Sequence, residues 1–195
     1  CDPARTRDVE TMDSLIGVTG RRSTIVQELS SLAEGEAIID GKLPTGAHKF
    51  VLAAGVLHGK QALDQTPVEA YETVNVNMIA PIKICEKILS RVPNARICVV
   101  GSHSGIAGSY DHLYAASKAG LHKYVETRQT LPEQQLVAVA PIIIADSGMT
   151  MRRADYPAVL SERETVTAAR VAQVIFDLLH DYPMQRNVVV PVRAC

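Results

Sequence analysis

Residues 96–128 read RICVVGSHSGIAGSYDHLYAASKAGLHKYVETR, and this stretch decides the fold class. The apolar run at Arg96–Val100 is short enough for a buried strand, and a glycine-rich turn follows it. Apolar residues at helical spacing then predict a helix over 113–128. A strand followed by a helix is the repeating unit of a parallel sheet that is covered by helices.

The chain on either side of this stretch continues the alternation of strand-like and helix-like patterns. We expect an α/β architecture, a doubly wound parallel sheet of about six strands in a single domain over 14–195, after a polar tail at 1–13. The predicted helix at 67–90 should bend near Pro81, because proline has no backbone N–H to donate. The other predicted elements are strands at 14–18, 37–40, 49–54, 136–140 and 187–192 and helices at 23–33 and 165–179.

The composition is that of a folded chain and argues against several classes of partner. Hydrophobic residues make up 47% and charged residues 21% of the 195 residues, as in ordinary globular proteins. Lys plus Arg number 20 against 21 for Asp plus Glu, so there is no basic excess to bind nucleic acid or an anionic membrane surface. We therefore expect neither among the partners of this chain.

The four cysteines stand at positions 1, 85, 98 and 195, without the spacing of a metal site or of a disulfide framework. We expect reduced thiols in the cytoplasm and no bound metal. The sequence starts at Cys1 instead of Met and shows no signal-peptide pattern, which indicates a missing or altered natural start.

The segment Tyr114-Ala-Ala-Ser-Lys118 is the strongest candidate for chemistry. Residues four apart share one face of a helix, so the phenol of Tyr114 and the ammonium of Lys118 can point into the same cleft. An ammonium within a few ångströms stabilises a phenolate. This would bring the pKa of Tyr114, about 10 for an isolated phenol, toward values useful for proton transfer.

Ser102 directly follows the strand predicted at Arg96–Val100, and the glycine-rich segment 101–108 surrounds it. In open parallel sheets, ligands bind outside the carboxyl ends of the strands. A hydroxyl at this position can hydrogen-bond a substrate oxygen. The sequence therefore predicts that Ser102 lies at the mouth of a ligand crevice.

Taken together, the run 101–120 resembles the active-site segment of the short-chain dehydrogenase/reductase family, a serine followed by Tyr-x-x-x-Lys. One residue fewer than usual separates the serine from the tyrosine, so Ser104 competes with Ser102 for the serine position. Ser102 is favoured, because Gly105 and Gly108 then match the glycines of the family.

The resemblance implies a Rossmann-like fold and hydride transfer between a nicotinamide cofactor and a carbonyl or alcohol substrate. In the implied mechanism Tyr114 is the general acid or base, Lys118 holds the nicotinamide ribose, and Ser102 orients the substrate oxygen. Asn77 matches the asparagine that widens a long helix and holds a proton-relay water, with Asn75 as its near competitor. The family also implies a homodimer or homotetramer that pairs through the two long helices.

The phosphate-binding loop departs from the glycine pattern of the family, since Arg21 and Ser23 stand where glycines are usual. Arg21 and Arg22 suit a 2′-phosphate, which favours NADP, but are equally explained as solvated arginines at the start of a helix. Asp40 stands near the offset of roughly 20 residues typical of a ribose-binding carboxylate that favours NAD. Asp40 is equally explained as a turn residue. The balance favours NADP and leaves NAD open. The cofactor contacts that the resemblance implies are Gly17, Thr19, Gly20, Arg21, Arg22, Ser23, Asp40, Ala53, Ala54, Gly55, Tyr114, Lys118 and Ile143.

The chain is also unusually short between the predicted first helix and the strand at 49–54. Residues 34–48 are too few for the two strands and two helices that the family usually fits there. The alternative to an enzyme is therefore a non-catalytic relative, a nucleotide sensor or scaffold with impaired cofactor binding. The segment 145–163 lies where the family carries its substrate lid, and Met149, Met151 and Tyr156 suggest an apolar pocket there.

Overall fold

The computed structural model describes residues 16–17, 46–151, 153, 155–180 and 184–194. Several predictions lie outside the described residues: the tail at 1–13, the helix at 23–33, the strand at 37–40, and the candidate cofactor contacts Thr19, Gly20, Arg21, Arg22, Ser23 and Asp40.

The described residues form strands and helices in alternation. The strands are β1 (Ile16–Gly17), β2 (Lys49–Leu52), β3 (Arg96–Val100), β4 (Gln135–Pro141), β5 (Ile143–Ile144), β6 (Thr165–Val166) and β7 (Val188–Val192). The helices are α1 (Pro67–Val74), α2 (Ala80–Arg91), α3 (Ser104–Ala107), α4 (His112–Thr127), α5 (Gly148–Met151), α6 (Tyr156–Glu162) and α7 (Ala168–His180), with a 3₁₀ turn at Ala62–Asp64. A π-helical turn, Asn75–Ile79, joins α1 to α2. No helix in these described ranges is long and apolar enough to cross a membrane.

Five strands form one parallel sheet in the order β1-β2-β3-β4-β7, and β5 pairs with β6 in a second, two-stranded sheet. All of β4 is buried, as expected for a central strand that is covered on both faces. Helices α2 and α4 contribute Ile84, Ile88 and Leu121 to the core on one face. Helix α7 contributes Ile175 and Leu179 to the core on the other. The predicted α/β fold with helices on a parallel sheet is confirmed.

One predicted helix, 165–179, is wrong at its start. Thr165–Val166 is a strand that pairs with Ile143–Ile144, and α7 begins only at Ala168. Two side chains cap the start of α7. Thr167 Oγ1 accepts the Arg170 N–H at 3.2 Å, and Asp146 Oδ1, from a distant part of the chain, accepts the Ala168 N–H at 2.7 Å. A two-residue strand carries no periodicity that a sequence pattern can register.

The sequence predicts a bend in the long helix near Pro81, and the structure has a π-helical turn just before this residue. Its π turn spans Asn75–Ile79, where the Ala80 N–H donates to the carbonyl of Asn75, five residues back. Pro81 lies in the first turn of α2. An α-helix would require the residue at 81 to donate to the carbonyl of Asn77, which proline cannot do. The wider turn accommodates the missing donor.

We predict that Leu136→Ala in β4 lowers the free energy of unfolding by about 3 kcal/mol, because Leu136 is fully buried and its removal leaves a cavity. Leu131→Ala is the control, since Leu131 is 57% exposed and its loss should cost less than about 0.5 kcal/mol. Chemical denaturation of both variants measures the difference. Equal midpoints for the two variants would refute this placement of the core.

Candidate active site

The carboxyl ends of the parallel strands meet at one edge of the sheet, and a cavity of about 590 Å³ opens there. Ser102, just beyond β3, and Tyr114, on α4, both line this cavity. Ile143 and Met149 line it from the chain that follows β4. The cavity therefore lies where ligands bind in open α/β sheets.

A buried carboxylate fixes the start of α4, the helix that carries Tyr114. The N-cap residue Asp111 is fully buried, and its Oδ1 accepts the backbone N–H of Tyr114 at 3.0 Å. The side-chain amide of Gln65 donates to the same oxygen at 2.9 Å. Gln65 also accepts from the Thr73 hydroxyl on α1, at 3.4 Å. The position of Tyr114 is thus set by contacts that reach across to α1.

Ser102 and Tyr114 are brought together, as the sequence predicted. Both side chains line the cavity, the Ser102 hydroxyl is close enough to the phenol to lower its pKa, and Tyr114 is only 9% exposed. The Ser104 N–H donates to Ser102 Oγ at 3.2 Å. Of the two competing serines, Ser102 is the one whose hydroxyl acts on the phenol, and the backbone of Ser104 holds that hydroxyl.

The pKa of Tyr114 does not move in the predicted direction. Burial raises this pKa, the nearby Ser102 hydroxyl lowers it, and the Asp111 carboxylate raises it, with a net shift upward from 10.0. The Lys118 ammonium lies 5.9 Å from the centroid of the ring and donates to the Val100 carbonyl instead. The prediction that Lys118 depresses the Tyr114 pKa is therefore wrong for this structure, because burial is the larger effect.

Lys118 is itself a buried cation at the end of β3. Its side chain is 3% exposed, and Nζ donates to the Val100 carbonyl at 3.0 Å. Burial lowers the pKa of Lys118 to about 8. Gly55 lies beside it, since a Cβ added there would stand 3.6 Å from Lys118 Nζ and 3.2 Å from Asn77 Oδ1. Gly55, Asn77 and Lys118 therefore converge at one point.

Asn77 clamps the loop after β2 to the long helix. Its Nδ2 donates to the carbonyls of Val56 at 2.8 Å and Thr73 at 2.9 Å, and its Oδ1 accepts the Val56 N–H at 3.0 Å. Asn77 lies inside the π turn, so the helix is widened at the residue where the family resemblance implies it. The competing Asn75 is also buried, but its Nδ2 has no hydrogen-bond partner in the part of the chain that the structure describes.

The structure also describes four of the remaining candidate cofactor contacts. Ala53 and Ala54 follow β2 and lead to Gly55, and Gly17 ends β1, the strand that pairs with β2. Ile143 lies in β5, in the two-stranded sheet, and lines the cavity. Gly17, Ala53 and Ala54 are therefore at or just beyond the carboxyl ends of β1 and β2, and of these four only Ile143 lines the cavity.

The segment expected to form a lid contributes one wall of the cavity. Met149 lines this wall, as expected, together with Val159. The expectation is wrong for Met151 and Tyr156, which do not line the cavity; Met151 is 56% exposed. Arg153 also lines it and donates to both carboxylate oxygens of Asp155, at 2.8 and 2.7 Å. Sequence reasoning missed this ion pair. The cavity therefore combines apolar walls with a charged edge.

His122 and Asp111 are two further residues that sequence reasoning missed. His122 is one helical turn beyond Lys118, and its Nε2 accepts the backbone N–H of Ser102. Its spacing of four from Lys118 is the signal that could have found it. Asp111, three residues before Tyr114, carries the N-cap pattern of a helix start.

Comparison with known proteins bears on the family and the fold of this chain. A family model described as short chain dehydrogenase matches residues 43–157. A search of curated protein sequences finds no match. Among solved structures, a short-chain dehydrogenase/reductase, a glucose/ribitol dehydrogenase from Brucella melitensis, is similar with a TM-score of 0.74 and 19% identity, over 86% of this chain and 73% of that one.

Two other solved structures show the same fold. A blue fluorescent protein from a metagenomic library, in complex with NADPH, matches with a TM-score of 0.73 and 22% identity, over 87% of this chain and 73% of that one. The angucycline C-6 ketoreductase LanV, with bound NADP, matches with a TM-score of 0.73 and 24% identity, over 84% of this chain and 71% of that one.

We predict that Lys118→Met stabilises the fold at pH 7 by roughly 2 kcal/mol, because it removes a buried charge at the expense of a single hydrogen bond. The lysine pKa is lower in the folded than in the unfolded chain. The destabilisation is therefore fully present below pH 8, the folded value, and disappears as the pH rises toward the unfolded value of 10.5.

Chemical denaturation of both proteins between neutral and alkaline pH measures this difference. The gap between wild type and Lys118→Met should close as the pH rises. A variant that is less stable than wild type by the same amount at every pH would contradict the description of Lys118 as a costly buried ammonium.

Proposed function

This chain belongs to the short-chain dehydrogenase family, and we propose that it is an NAD(P)-dependent oxidoreductase that transfers hydride between a nicotinamide cofactor and a carbonyl or alcohol substrate. The observation that carries the proposal is the convergence of Ser102, Tyr114 and Lys118 at one edge of a parallel sheet. The NADPH and NADP in two structures of similar fold support a cofactor of this class.

The residues around Lys118 fit the nicotinamide half of such a cofactor. Within the described residues, Nζ makes one hydrogen bond, to Val100, so ammonium protons remain to bind the hydroxyls of a ribose. Gly55 leaves open the space that a Cβ would fill next to Nζ and Asn77. Lys118, Tyr114, Ala54, Gly55 and Ile143 would hold this half. When bound, the cofactor supplies a hydride, which no side chain provides.

Tyr114 is the proton donor and acceptor in this proposal. The phenol is protonated at neutral pH, so its proton is in place for transfer to a carbonyl oxygen. Burial raises its pKa and makes it a weaker acid than an isolated phenol, so a lower pKa must come from the bound cofactor and substrate. Ser102, which lines the cavity beside Tyr114, would bind the same oxygen and stabilise the charge that develops on it. A protonated phenol beside this hydroxyl matches the direction of carbonyl reduction.

Lys118 and Asn77 would return the proton that Tyr114 gives up. A buried amine with a pKa of about 8 exchanges protons readily near neutral pH. The side chain of Asn77 is committed to Val56 and Thr73, so its role is to keep the helix wide at the π turn beside Lys118. We assign to this widened turn the water that connects Lys118 to solvent.

The substrate is a small molecule in this proposal, because a cavity of about 590 Å³ is of the usual size for one.

We also propose a cytoplasmic homodimer or homotetramer that pairs through α1, α2 and α4. Val68 and Tyr71 support such pairing, since they are 76% and 63% exposed on the surface of α1. The buried free thiols of Cys85 and Cys98 agree with a reducing compartment.

We predict saturable binding of NADPH, NADH or both at micromolar concentration, measured by the fluorescence of the reduced nicotinamide. The ratio of the two dissociation constants decides between NADP and NAD. Absence of saturable binding below millimolar cofactor would overturn the oxidoreductase proposal and leave a scaffold that does not bind the cofactor.

We predict that Tyr114→Phe lowers kcat by about 10²- to 10⁴-fold, the usual contribution of a general acid or base, with little change in the cofactor dissociation constant. Tyr156→Phe is the matched control, because Tyr156 does not line the cavity. Steady-state kinetics with a carbonyl substrate measures both variants. Equal turnover in wild type and Tyr114→Phe would remove Tyr114 from the mechanism.

A further inference from the structure

His122 lies on the face of α4 that carries the two candidate catalytic residues. It follows Lys118 by one helical turn and Tyr114 by two, so the three side chains are aligned along the helix. The residue is only 5% exposed. This burial shows that His122 is not a surface histidine in contact with bulk water.

The imidazole accepts a hydrogen bond from the backbone of Ser102. The Ser102 N–H donates to His122 Nε2 at 3.3 Å. The neighbouring N–H groups of Gly101 and His103 donate instead to Val139 and Pro141 on β4, both at 2.8 Å. Successive residues of a strand point their N–H groups to opposite sides, so the Ser102 N–H faces away from β4. His122 therefore satisfies a donor that the sheet leaves unpaired.

Two glycines make room for this ring. A Cβ added at Gly101 would lie 2.1 Å from His122 Nε2, and one at Gly105 would lie 2.9 Å from Cε1. The Gly105 position also approaches the backbone of Lys118 and Ala119 at 2.8 Å. Helix α4 and the end of β3 thus approach so closely that only glycine is compatible with the ring at both positions.

The charge state of the ring agrees with its role as an acceptor. Burial and, to a lesser extent, the Lys118 ammonium lower the pKa of His122 to about 4, against the opposing effect of the Glu126 carboxylate. At neutral pH the ring is uncharged, with Nε2 free to accept and the proton on Nδ1.

We propose that His122 is a positioning residue that ties Ser102 to the helix carrying Tyr114 and Lys118, and so fixes the distance between the Ser102 hydroxyl and the phenol. This inference rests on the proposed function, because it assigns His122 a part in the same site. The backbone of Ser102 is held by His122 Nε2, and its Oγ is held by the Ser104 N–H. Without the first contact, Ser102 would be held only by its flanking residues.

The test compares two substitutions of similar size. Glutamine at position 122 can place its amide oxygen near the position of Nε2, whereas asparagine is too short to reach the Ser102 N–H. Each of the two substitutions, His122→Gln and His122→Asn, is made in the wild-type protein and in the Ser102→Ala variant. For each protein, kcat, KM and NADPH binding are measured, together with the amide hydrogen exchange of Ser102 in the serine-containing proteins.

We expect His122→Asn to lower kcat by about tenfold and His122→Gln to stay within about threefold of wild type, with NADPH binding unchanged. In the Ser102→Ala background, His122→Asn should have little further effect, because it acts through Ser102. Exchange of the Ser102 amide should be faster in the asparagine variant than in the glutamine variant. The inference would be overturned if His122→Asn lowered kcat by the same factor in the Ser102→Ala background as in wild type, or if His122→Asn and His122→Gln had the same kcat and the same Ser102 exchange rate.

The hydrogen exchange separates this inference from the proposed function. If the wild-type protein neither binds NADPH nor turns over a carbonyl, the proposed function fails. The positioning contact is refuted separately, if the amide of Ser102 exchanges at the same rate in His122→Asn as in wild type. Should His122→Asn fail to fold, His122→Leu replaces it, since leucine fills the same space without an acceptor.

Discussion

The burial of the Lys118 ammonium at the end of a parallel strand is the constraint on which the site depends. An ammonium that is removed from water requires polar partners, and the Val100 carbonyl, where β3 ends, is the one it finds among the described residues. This contact fixes α4 against the end of β3. The same helix face then brings Tyr114 to Ser102 on one side of Lys118 and His122 to the backbone of Ser102 on the other. A charge that costs stability thus orders the groups that would do the chemistry.

The surrounding residues make this arrangement possible by leaving space or by closing gaps. Glycines at 101 and 105 allow the helix and the end of the strand to touch, and Gly55 allows the loop after β2 to approach Lys118 and Asn77 closely. Through its hydrogen bonds to Val56 and Thr73, Asn77 holds this loop at the widened turn of the long helix. The close approach of the backbones of α4, the end of β3 and the loop after β2 therefore determines the site as much as its polar side chains do.

Features that follow from local sequence patterns, such as strands and helix faces, could be predicted from the sequence. Features that depend on contacts between distant parts of the chain could not. Strand Arg96–Val100 was predicted with its observed bounds, because an apolar run between turn residues has one interpretation in a parallel sheet. The convergence of Ser102, Tyr114 and Lys118 followed from helical spacing and from the shared edge of the strands. The direction of the Tyr114 pKa did not follow, because burial is a property of the whole fold. The strand at Thr165–Val166 depends on pairing with Ile143 and Ile144, far away in sequence, and the equally distant Asp146 helps Thr167 to cap the start of α7.

The central claim is that this cleft transfers hydride to a carbonyl carbon while Tyr114 protonates the oxygen. The direct measurement uses NADPH deuterated at the carbon that donates the hydride, with a panel of small aldehydes and ketones, and analyses the alcohol products by mass spectrometry. The account predicts an alcohol with deuterium on its carbinol carbon, formed in step with oxidation of the cofactor. An alcohol that forms without deuterium, or cofactor that stays reduced with every carbonyl of the panel although it is bound, would contradict the account.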